Sequence, residues 1–223
     1  MIKIDLHTHS LKTGSDLQIA NVFAQDLPLQ ANVGWYSSGI HPWHIADVDI
    51  DESLRKIAVA STDKQMVAIG ECGLDKLSVC EMKIQEAVFR KHAELAEIYR
   101  KPLIIHCVRA TNELIRIKKE FLPVVPWILH GFNGNRETTR ELIRHGFYVS
   151  CGGAFLRNQQ KIESAKNIPI DRLFLETDDT DESIDEIYRL SALLFEMDVN
   201  SLSNNIINNF KTVFRDVEMV GTN

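Results

Sequence analysis

The sequence predicts an α/β fold in which eight parallel strands close into a compact, irregular (β/α)8 TIM barrel. Short runs recur along the chain that are apolar on both faces, as is typical of parallel strands covered by helices. Helical stretches with one apolar face separate the later runs, so strands and helices alternate. The 223 residues suit one barrel near the small end of this class, and we expect a single domain over 1–223.

The predicted elements follow one another without an internal repeat or a linker. The apolar runs are, in chain order, 2–6, 17–24, 34–40, 66–70, 102–106, 126–130, 146–150 and 171–176. The helical period is found in 81–100, 111–121, 136–145, about 183–197 and 203–215. The gap at 25–33 contains Pro28 and is too short for a crossover helix, so we expect the barrel to be irregular there.

Composition and charge exclude some classes of protein. With 44% hydrophobic and 25% charged residues, the chain is neither disordered nor fibrous. A net charge of −6 argues against a broad basic face for duplex nucleic acid, but it allows an enzyme that contacts a few phosphates. The first residues contain Lys3 and Asp5 and no long apolar run, so we expect no signal peptide, no membrane span and a cytoplasmic protein. The four cysteines have no Cys-x-x-Cys spacing and are expected to be reduced thiols.

Side chains of the metal-binding type stand at the ends of the predicted strands. In a barrel of this class the active site lies at the C-terminal ends of the strands, so these residues are expected to meet there. They are His7, His9, His41, His44, Glu71, Asp75, His106, His130, Glu176, Asp178 and Asp179. The remaining histidines, His92 and His145, fall in predicted helices and are expected to be surface or packing residues.

A metal site is the interpretation that this pattern favours. Imidazole nitrogen and carboxylate oxygen are ligands for zinc, manganese and iron. A single histidine at a strand end is more often a hydrogen-bonded core residue, but chance does not readily bring six to one barrel mouth. Four histidines with a glutamate and an aspartate could hold two divalent ions, with Glu71 as a bridge.

Six motifs resemble, in order and spacing, those of the TatD family of metal-dependent hydrolases, which belongs to the amidohydrolase-like barrels. They are "IDLHTHS" (4–10), "GIHPWH" (39–44), "IGECGLD" (69–75), "PLIIHC" (102–107), "ILHGFNG" (128–134) and "LFLETDD" (173–179). The similarity covers nearly the whole chain, down to "NFKTVF" (209–214). The resemblance implies one or two divalent metal ions, which would be zinc, or else magnesium or manganese. It implies as metal ligands His7, His9, Glu71, His106, His130 and Asp178.

The resemblance also implies a reaction. It would be metal-assisted hydrolysis of a phosphodiester, in the manner of a deoxyribonuclease or exonuclease acting on DNA ends. A divalent ion lowers the pKa of a bound water to about 7, and Asp178 would bind the metal and accept or orient the proton of that water. Glu71 would be the bridging carboxylate, and His41 would face the cleft as a hydrogen-bond donor to the phosphate or as a transition-state stabiliser. The ions would leave the filled site locally positive, so an acidic protein could still attract a phosphate.

Several family marks are missing around the expected substrate cleft. After the fifth strand the family usually has an Arg-Asp pair, whereas "IHCVRAT" leaves Arg109 displaced with no acid after it. The segment after "ETD" lacks the usual proline and the later "NEP" segment, and it is acidic in 176–190. An acidic segment beside the substrate cleft would repel a long nucleic-acid strand. The sequence therefore predicts a hydrolase more firmly than it predicts a deoxyribonuclease.

Three alternatives stay open at this stage. "IDLHTHS" equally matches the polymerase-and-histidinol-phosphatase (PHP) family of phosphomonoesterases, although "IGECGLD" and "LETDD" tell against it. Another amidohydrolase-like hydrolase would often have a carboxylated lysine where Glu71 stands. A non-catalytic metal-binding barrel is the third. We expect a phosphodiester or a small phosphorylated substrate, no stable binding of duplex DNA, no membrane partner and a monomer.

Overall fold

A computed structural model of the chain describes residues 2–11, 17–29 and 33–217 and contains the predicted barrel. Within those residues, eight strands form one sheet in chain order, and every neighbouring pair is parallel. The strands are β1 (Ile4–Thr8), β2 (Leu17–Phe23), β3 (Trp35–Gly39), β4 (Met66–Asp75), β5 (Leu103–Val108), β6 (Trp127–Leu129), β7 (Tyr148–Cys151) and β8 (Leu173–Leu175).

The first and last strands meet at the C-terminal end of the barrel. Thr8 forms a parallel bridge with Asp178. The Asp178 N–H donates to the His7 carbonyl at 2.9 Å, and the His9 N–H donates to the Asp178 carbonyl at 3.1 Å. These bonds nearly close the sheet, and they connect the β1 histidines directly to the segment after β8.

Helices follow most of the strands. They are α1 (Ile50–Ala60), α2 (Met82–Tyr99), α3 (Thr111–Phe121), α4 (Arg136–Arg144), α5 (Gly153–Arg157), α6 (Ile162–Lys166), α7 (Ile184–Leu194) and α8 (Val199–Val213). Helix α1 and the two short helices α5 and α6 were not predicted from the sequence. The last helix was predicted to begin at 203, whereas α8 begins at Val199 because the Asp198 side chain accepts from the Ser201 N–H and caps it.

The first half of the barrel is irregular, as the sequence predicts. The described part of the segment 25–33 contains the end of a short 3-10 turn, Ala24–Asp26, and no α-helix. The residues 30–32 and 12–16 lie outside the described residues. The described residues of the crossover from β2 to β3 therefore contain no α-helix of the kind that a regular barrel would place there.

Two buried polar groups fix β1 and thereby the histidines at its end. The Tyr188 hydroxyl on α7 accepts from the Ile4 N–H at 2.9 Å and donates to the Ile4 carbonyl at 3.2 Å. The Asp5 carboxylate is fully buried and accepts from the Thr177 N–H at 2.9 Å and from the Thr177 hydroxyl at 2.6 Å. Strand β1 is thus hydrogen-bonded both to Tyr188 on α7 and to Thr177, which follows β8.

The core lies between the sheet and the helices and contains large aromatic side chains such as Phe89, Trp127 and Phe147. The four cysteines all lie within the described ranges and are free, as expected. In the described ranges we find no helix that combines the length and the apolar character needed to cross a bilayer.

Candidate metal centre

The polar side chains that end the strands converge at one mouth of the barrel, around a cavity of about 550 Å³. The side chains that the sequence proposes as metal ligands come together here. They are His7 and His9 at the end of β1, Glu71 on β4, His106 on β5, His130 after β6 and Asp178 after β8.

Glu71 stands at the centre, and its two oxygens face two different groups of donors. Oε1 lies 2.9 Å from His106 Nδ1 and 2.8 Å from His130 Nε2. Oε2 lies 3.4 Å from His9 Nε2 and 3.5 Å from His7 Nε2. Asp178 Oδ1 joins the second group, at 3.5 Å from His9 Nε2. One carboxylate thus lies between two sets of ligand atoms.

The glycines beside Glu71 explain how it reaches this place. Gly70 has φ +132°, and a Cβ there would lie 2.2 Å from the Ile104 carbonyl oxygen. Gly73 has φ +156°, and a Cβ there would lie 1.9 Å from the His106 carbonyl oxygen. Any larger side chain would push β4 away from β5. The two glycines of "IGECG" therefore let Glu71 and His106 approach each other.

The charges of the centre are strongly coupled. Burial raises the pKa of Glu71, but the positive charge of His130 and the hydrogen bonds with His106, His130 and His41 outweigh it and hold that pKa well below its usual value. Burial lowers the pKa of His130, but the charge of Glu71 and the bonds with Glu176 and Glu71 raise it well above its usual value. The buried carboxylates therefore stabilise positive charge beside them.

Asp178 and His9, at the edge of the centre, also have raised pKa values. Burial, and after it the charge of Glu176, raises the pKa of Asp178. The hydrogen bond with Glu71 raises the pKa of His9 against the opposing effect of burial. The raised pKa of Asp178 reflects carboxylates that crowd one another, whereas His9 and His130 hold a proton more readily than a free imidazole does. This is the electrostatic pattern of a site that favours a cation.

His7 provides a direct test of whether these residues fit a metal ion. Its side chain is fully buried, and neither ring nitrogen has a hydrogen-bond partner among the residues that the structure describes. A buried polar atom left without a partner costs about 1–3 kcal/mol. The His7, His9 and Asp178 ligand atoms lie within 4.8 Å of one another, as do those of His7, Glu71 and His130. The residues fit a divalent ion of the type that imidazole and carboxylate bind.

Asp75 orients His106 and is one of the residues whose role the sequence analysis missed. The Asp75 Oδ2 atom lies 3.1 Å from His106 Nε2 and accepts from the Trp43 indole N–H at 2.6 Å. Its Oδ1 atom accepts from the Leu77 N–H at 2.7 Å. If His106 Nε2 donates to Asp75, Nδ1 presents its lone pair to the centre, which is the arrangement of a carboxylate behind a metal-binding histidine. The motif "IGECGLD" contains Asp75 and places it at the mouth of the barrel, but the motif does not indicate that Asp75 orients His106.

Asn21 and Glu176 support the centre from two further sides. The Asn21 side chain accepts from the Glu71 N–H at 3.0 Å and donates to Glu71 Oε2 at 3.5 Å. Glu176 is fully buried, accepts from the Gly131 N–H, and has Oε1 3.8 Å from His130 Nδ1. The only signal for Asn21 in the sequence was an amide side chain inside the apolar run 17–24, which also contains Gln18.

His41 is buried beside the centre and differs from the predicted ligands in its tautomer. Its Nδ1 accepts from the Trp43 backbone N–H at 3.1 Å, so in the neutral ring Nε2 carries the proton. That Nε2 lies 3.1 Å from Glu71 Oε1. Burial lowers the pKa of His41 despite its hydrogen bond with Glu71. The geometry therefore gives a neutral hydrogen-bond donor rather than a lone pair for a metal.

The acidic segment after the centre is partly neutralised. Asp185 pairs with Lys3, Glu182 pairs with Arg157, and Glu186 pairs with Arg189 at 3.0 Å. Asp179 lines the cavity, whereas Arg109 is exposed at the end of β5. The repulsion of an anionic strand that the sequence suggests is therefore weaker than a count of acidic residues implies.

Comparisons with known proteins show which proteins this chain is similar to. The family described as TatD related DNase matches residues 5–215. An uncharacterised metal-dependent hydrolase of Buchnera aphidicola from Acyrthosiphon pisum is 30% identical over 205 residues, which cover 82% of this chain and 78% of that protein. A 3′-5′ ssDNA/RNA exonuclease TatD of Cronobacter turicensis is 32% identical over 149 residues, or 65% of this chain. The match spans only about half of that exonuclease, 56% of its length.

Solved structures show the same fold. The crystal structure of YjjV, a TatD homologue from Escherichia coli, superimposes with a TM-score of 0.82 at 19% identity. The superposition covers 96% of this chain and 98% of the other.

Proposed function

Because this chain belongs to the TatD family of metal-dependent hydrolases, we propose that it hydrolyses phosphodiester bonds at the ends of DNA strands. The proposed cofactor is a pair of divalent ions at the mouth of the barrel. The candidate metals are zinc, magnesium and manganese. The names of relatives support this substrate, since one of them is a single-strand DNA and RNA exonuclease and another is a deoxyribonuclease of Schizosaccharomyces pombe.

The observation that carries the proposal is the position of Glu71 between two donor groups. His7, His9 and Asp178 would hold one ion on the Oε2 side, and His106 and His130 would hold the other on the Oε1 side. Such ions lower the pKa of bound water and polarise a phosphoryl oxygen. Their charge would also attract a phosphate to a protein with a net charge of −6.

Asp178 is the residue that we propose to accept the proton of the attacking water. It lies at the edge of the cavity, with its side chain 33% exposed, so a water can reach it. A carboxylate within hydrogen-bond reach of a water can accept the proton of that water. Its backbone bonds to β1 keep the carboxylate next to His9.

His41 is proposed to stabilise the negative charge that develops on the phosphoryl oxygens. Its Nε2–H points into the centre, and burial keeps the ring neutral near pH 7 by lowering its pKa. A fixed neutral donor loses little free energy of reorganisation when the charge appears. In this proposal His41 donates a hydrogen bond and binds no metal. The metal ligands are the six residues that the family resemblance implies.

The other candidate functions are not favoured. A phosphomonoesterase of PHP type and a further amidohydrolase-like hydrolase lack the support that the family match gives to the TatD type. A non-catalytic barrel would have no need for a complete donor set, a proton acceptor and a neutral donor in one cavity. We further propose a single-stranded rather than a duplex substrate.

The test is a screen of the metal-loaded protein. Purified protein would be reconstituted with zinc or manganese and offered single-stranded DNA, duplex DNA, a phosphomonoester and a simple phosphodiester. We expect turnover of single-stranded DNA, with release from its ends. Turnover of the phosphomonoester alone would contradict the proposal and favour the PHP type.

A further inference from the structure

Resting on the proposed function, we propose that Trp43 is a fixed stacking platform that binds the nucleobase next to the phosphate undergoing hydrolysis. The inference concerns how the same cavity recognises its substrate. It rests on the exposure, the anchoring and the position of this one side chain.

Trp43 is unusually exposed for a tryptophan. It is 56% exposed and lines the cavity, whereas Trp127 is fully buried in the core and Trp35 is half-buried against Phe210. Large aromatic side chains normally bury most of their surface. An indole that is open to solvent at the mouth of a catalytic cavity offers a flat apolar face to a ligand.

The exposed ring is nevertheless held in place. Its indole N–H donates to Asp75 Oδ2 at 2.6 Å, and its backbone N–H donates to His41 Nδ1 at 3.1 Å. The next loop is attached as well, because the Ser78 hydroxyl donates to the Pro42 carbonyl at 3.0 Å. The indole N–H and the backbone of Trp43 are thus both anchored, so little side-chain entropy is lost when a ligand stacks on the ring.

The platform stands one ring away from the metal centre. The Trp43 ring centroid is 5.2 Å from that of His41 and 6.1 Å from that of His106, and both histidines contact Glu71. A nucleobase is separated from its phosphate by a single sugar. A phosphate at the metal centre would therefore bring an adjacent base to the indole face.

The surroundings of Trp43 favour a base over other flat or apolar ligands. The cavity wall continues from Trp43 through His41 and His44 to Phe23, whose ring centroid is 4.7 Å from that of His44. Aromatic faces that follow a phosphate site are a recurring means of binding single-stranded nucleic acid, because every base has a π-face. Stacking also requires an unpaired base, which agrees with a strand end as substrate.

The first experiment compares two substrates that differ only in their bases. The metal-loaded protein is given a short single-stranded oligodeoxynucleotide and a strand of equal length built from abasic tetrahydrofuran units. Wild type should favour the base-bearing strand in kcat/KM, and Trp43→Ala should reduce that preference by about tenfold. Trp43→Phe retains a ring and should keep most of the preference.

Reading the result as a ratio separates stacking from damage to the metal centre. Loss of the hydrogen bond from Trp43 to Asp75 would lower kcat/KM for both strands by the same factor. The ratio of the two kcat/KM values would then stay unchanged. Leu122→Ala removes an exposed apolar side chain at the end of α3 and should leave the ratio at its wild-type value. Equal rates of wild type on both strands, or an unchanged ratio in Trp43→Ala, would overturn the inference.

A second experiment measures binding without turnover of a phosphodiester. Thymidine 5′-monophosphate should quench the tryptophan fluorescence of the zinc-loaded protein, whereas 2-deoxyribose 5-phosphate should not. The quenching should be absent in Trp43→Phe, which keeps only Trp35 and Trp127. Quenching that persists in this variant, or no quenching in wild type, would contradict the inference. If wild type cleaves neither strand, the proposed function fails, and this measurement alone decides the role of Trp43.

Discussion

Buried histidines occur in two regions of this barrel, and their ring nitrogens are satisfied in opposite ways. His92 on α2 is fully buried, with Nε2 accepting from the Ile40 N–H at 3.0 Å and Nδ1 lying 2.8 Å from the Val88 carbonyl. Burial lowers its pKa to about 4, so the ring is neutral. At the mouth, His7 has no hydrogen-bond partner within the described part of the chain, and Glu71 and Glu176 raise the pKa of buried His130.

Burial of a histidine alone therefore does not indicate a metal site. His92 has one donor and one acceptor in the protein backbone, and nothing remains for a ligand to satisfy. The mouth histidines instead direct ring nitrogens at carboxylates that are themselves buried. Such a cluster is stable when positive charge lies among its members. The predictions below separate the two regions.

The largest effect is expected for Asp178→Asn. Asparagine tolerates the left-handed backbone of this residue, which has φ +54°, and the backbone bonds to β1 are kept. The fold should therefore survive, while kcat falls by about 10²- to 10⁴-fold because the proton acceptor is lost. Steady-state turnover at saturating metal measures the effect. Asp181→Asn, which removes an exposed charge from the same loop, is the control, and near-normal turnover of Asp178→Asn would refute the role.

A smaller effect is expected for Asp75→Asn. The asparagine side chain would place an NH₂ group, which is a hydrogen-bond donor, against the N–H donors of Trp43, His106 or Leu77. Since two donors cannot bond to each other, the orientation of His106 would be lost. We expect the metal affinity to fall by about 10- to 100-fold. Competition with a chromophoric chelator measures this affinity. Asp171→Asn, an exposed carboxylate before β8, should bind metal as wild type does, and equal affinities of the two variants would contradict the role of Asp75.

The smallest effect concerns His92 and pH. Its pKa falls from 6.5 in the unfolded chain to about 4 in the fold, so the unfolded chain takes up a proton first as the pH decreases. Neutral His92 therefore makes its full contribution to the free energy of unfolding above pH 6.5. This contribution is lost as the pH falls from 6.5 to 4. Between pH 7 and 5 the loss is about 2 kcal/mol in the free energy of unfolding. Urea unfolding of wild type and His92→Gln at both pH values tests this, and an equal decrease in both proteins would be contrary to it.

The sequence predicts the fold and the members of the centre because both depend on local patterns. The strand runs were visible in the alternation of apolar and helical segments, and parallel strands bring their C-terminal ends together. Helix α1 was missed although Asp49 and Glu52 carry a capping signal at its start. Packing between distant segments, by contrast, had no local signal. Neither the contact of Asn21 with Glu71 nor the division of ligands between the two Glu71 oxygens could be predicted.

Other expectations concern properties that lie beyond the fold. The single domain over 1–223, the monomer and the cytoplasmic location stay predictions. The same holds for the identity of the metal, since imidazole and carboxylate accept several divalent ions.

The metal content of the purified chain decides whether Glu71 lies at the centre of a metal site. Wild type and Glu71→Gln would be reconstituted with zinc or manganese, freed of excess ion and analysed by mass spectrometry for metal per chain, with circular dichroism to confirm the fold. We expect two ions per wild-type chain and a loss of at least one in Glu71→Gln, because that variant loses the charge between the two donor groups. Wild type without stoichiometric metal after reconstitution, or an equal content in the folded variant, would contradict a metal centre built around Glu71.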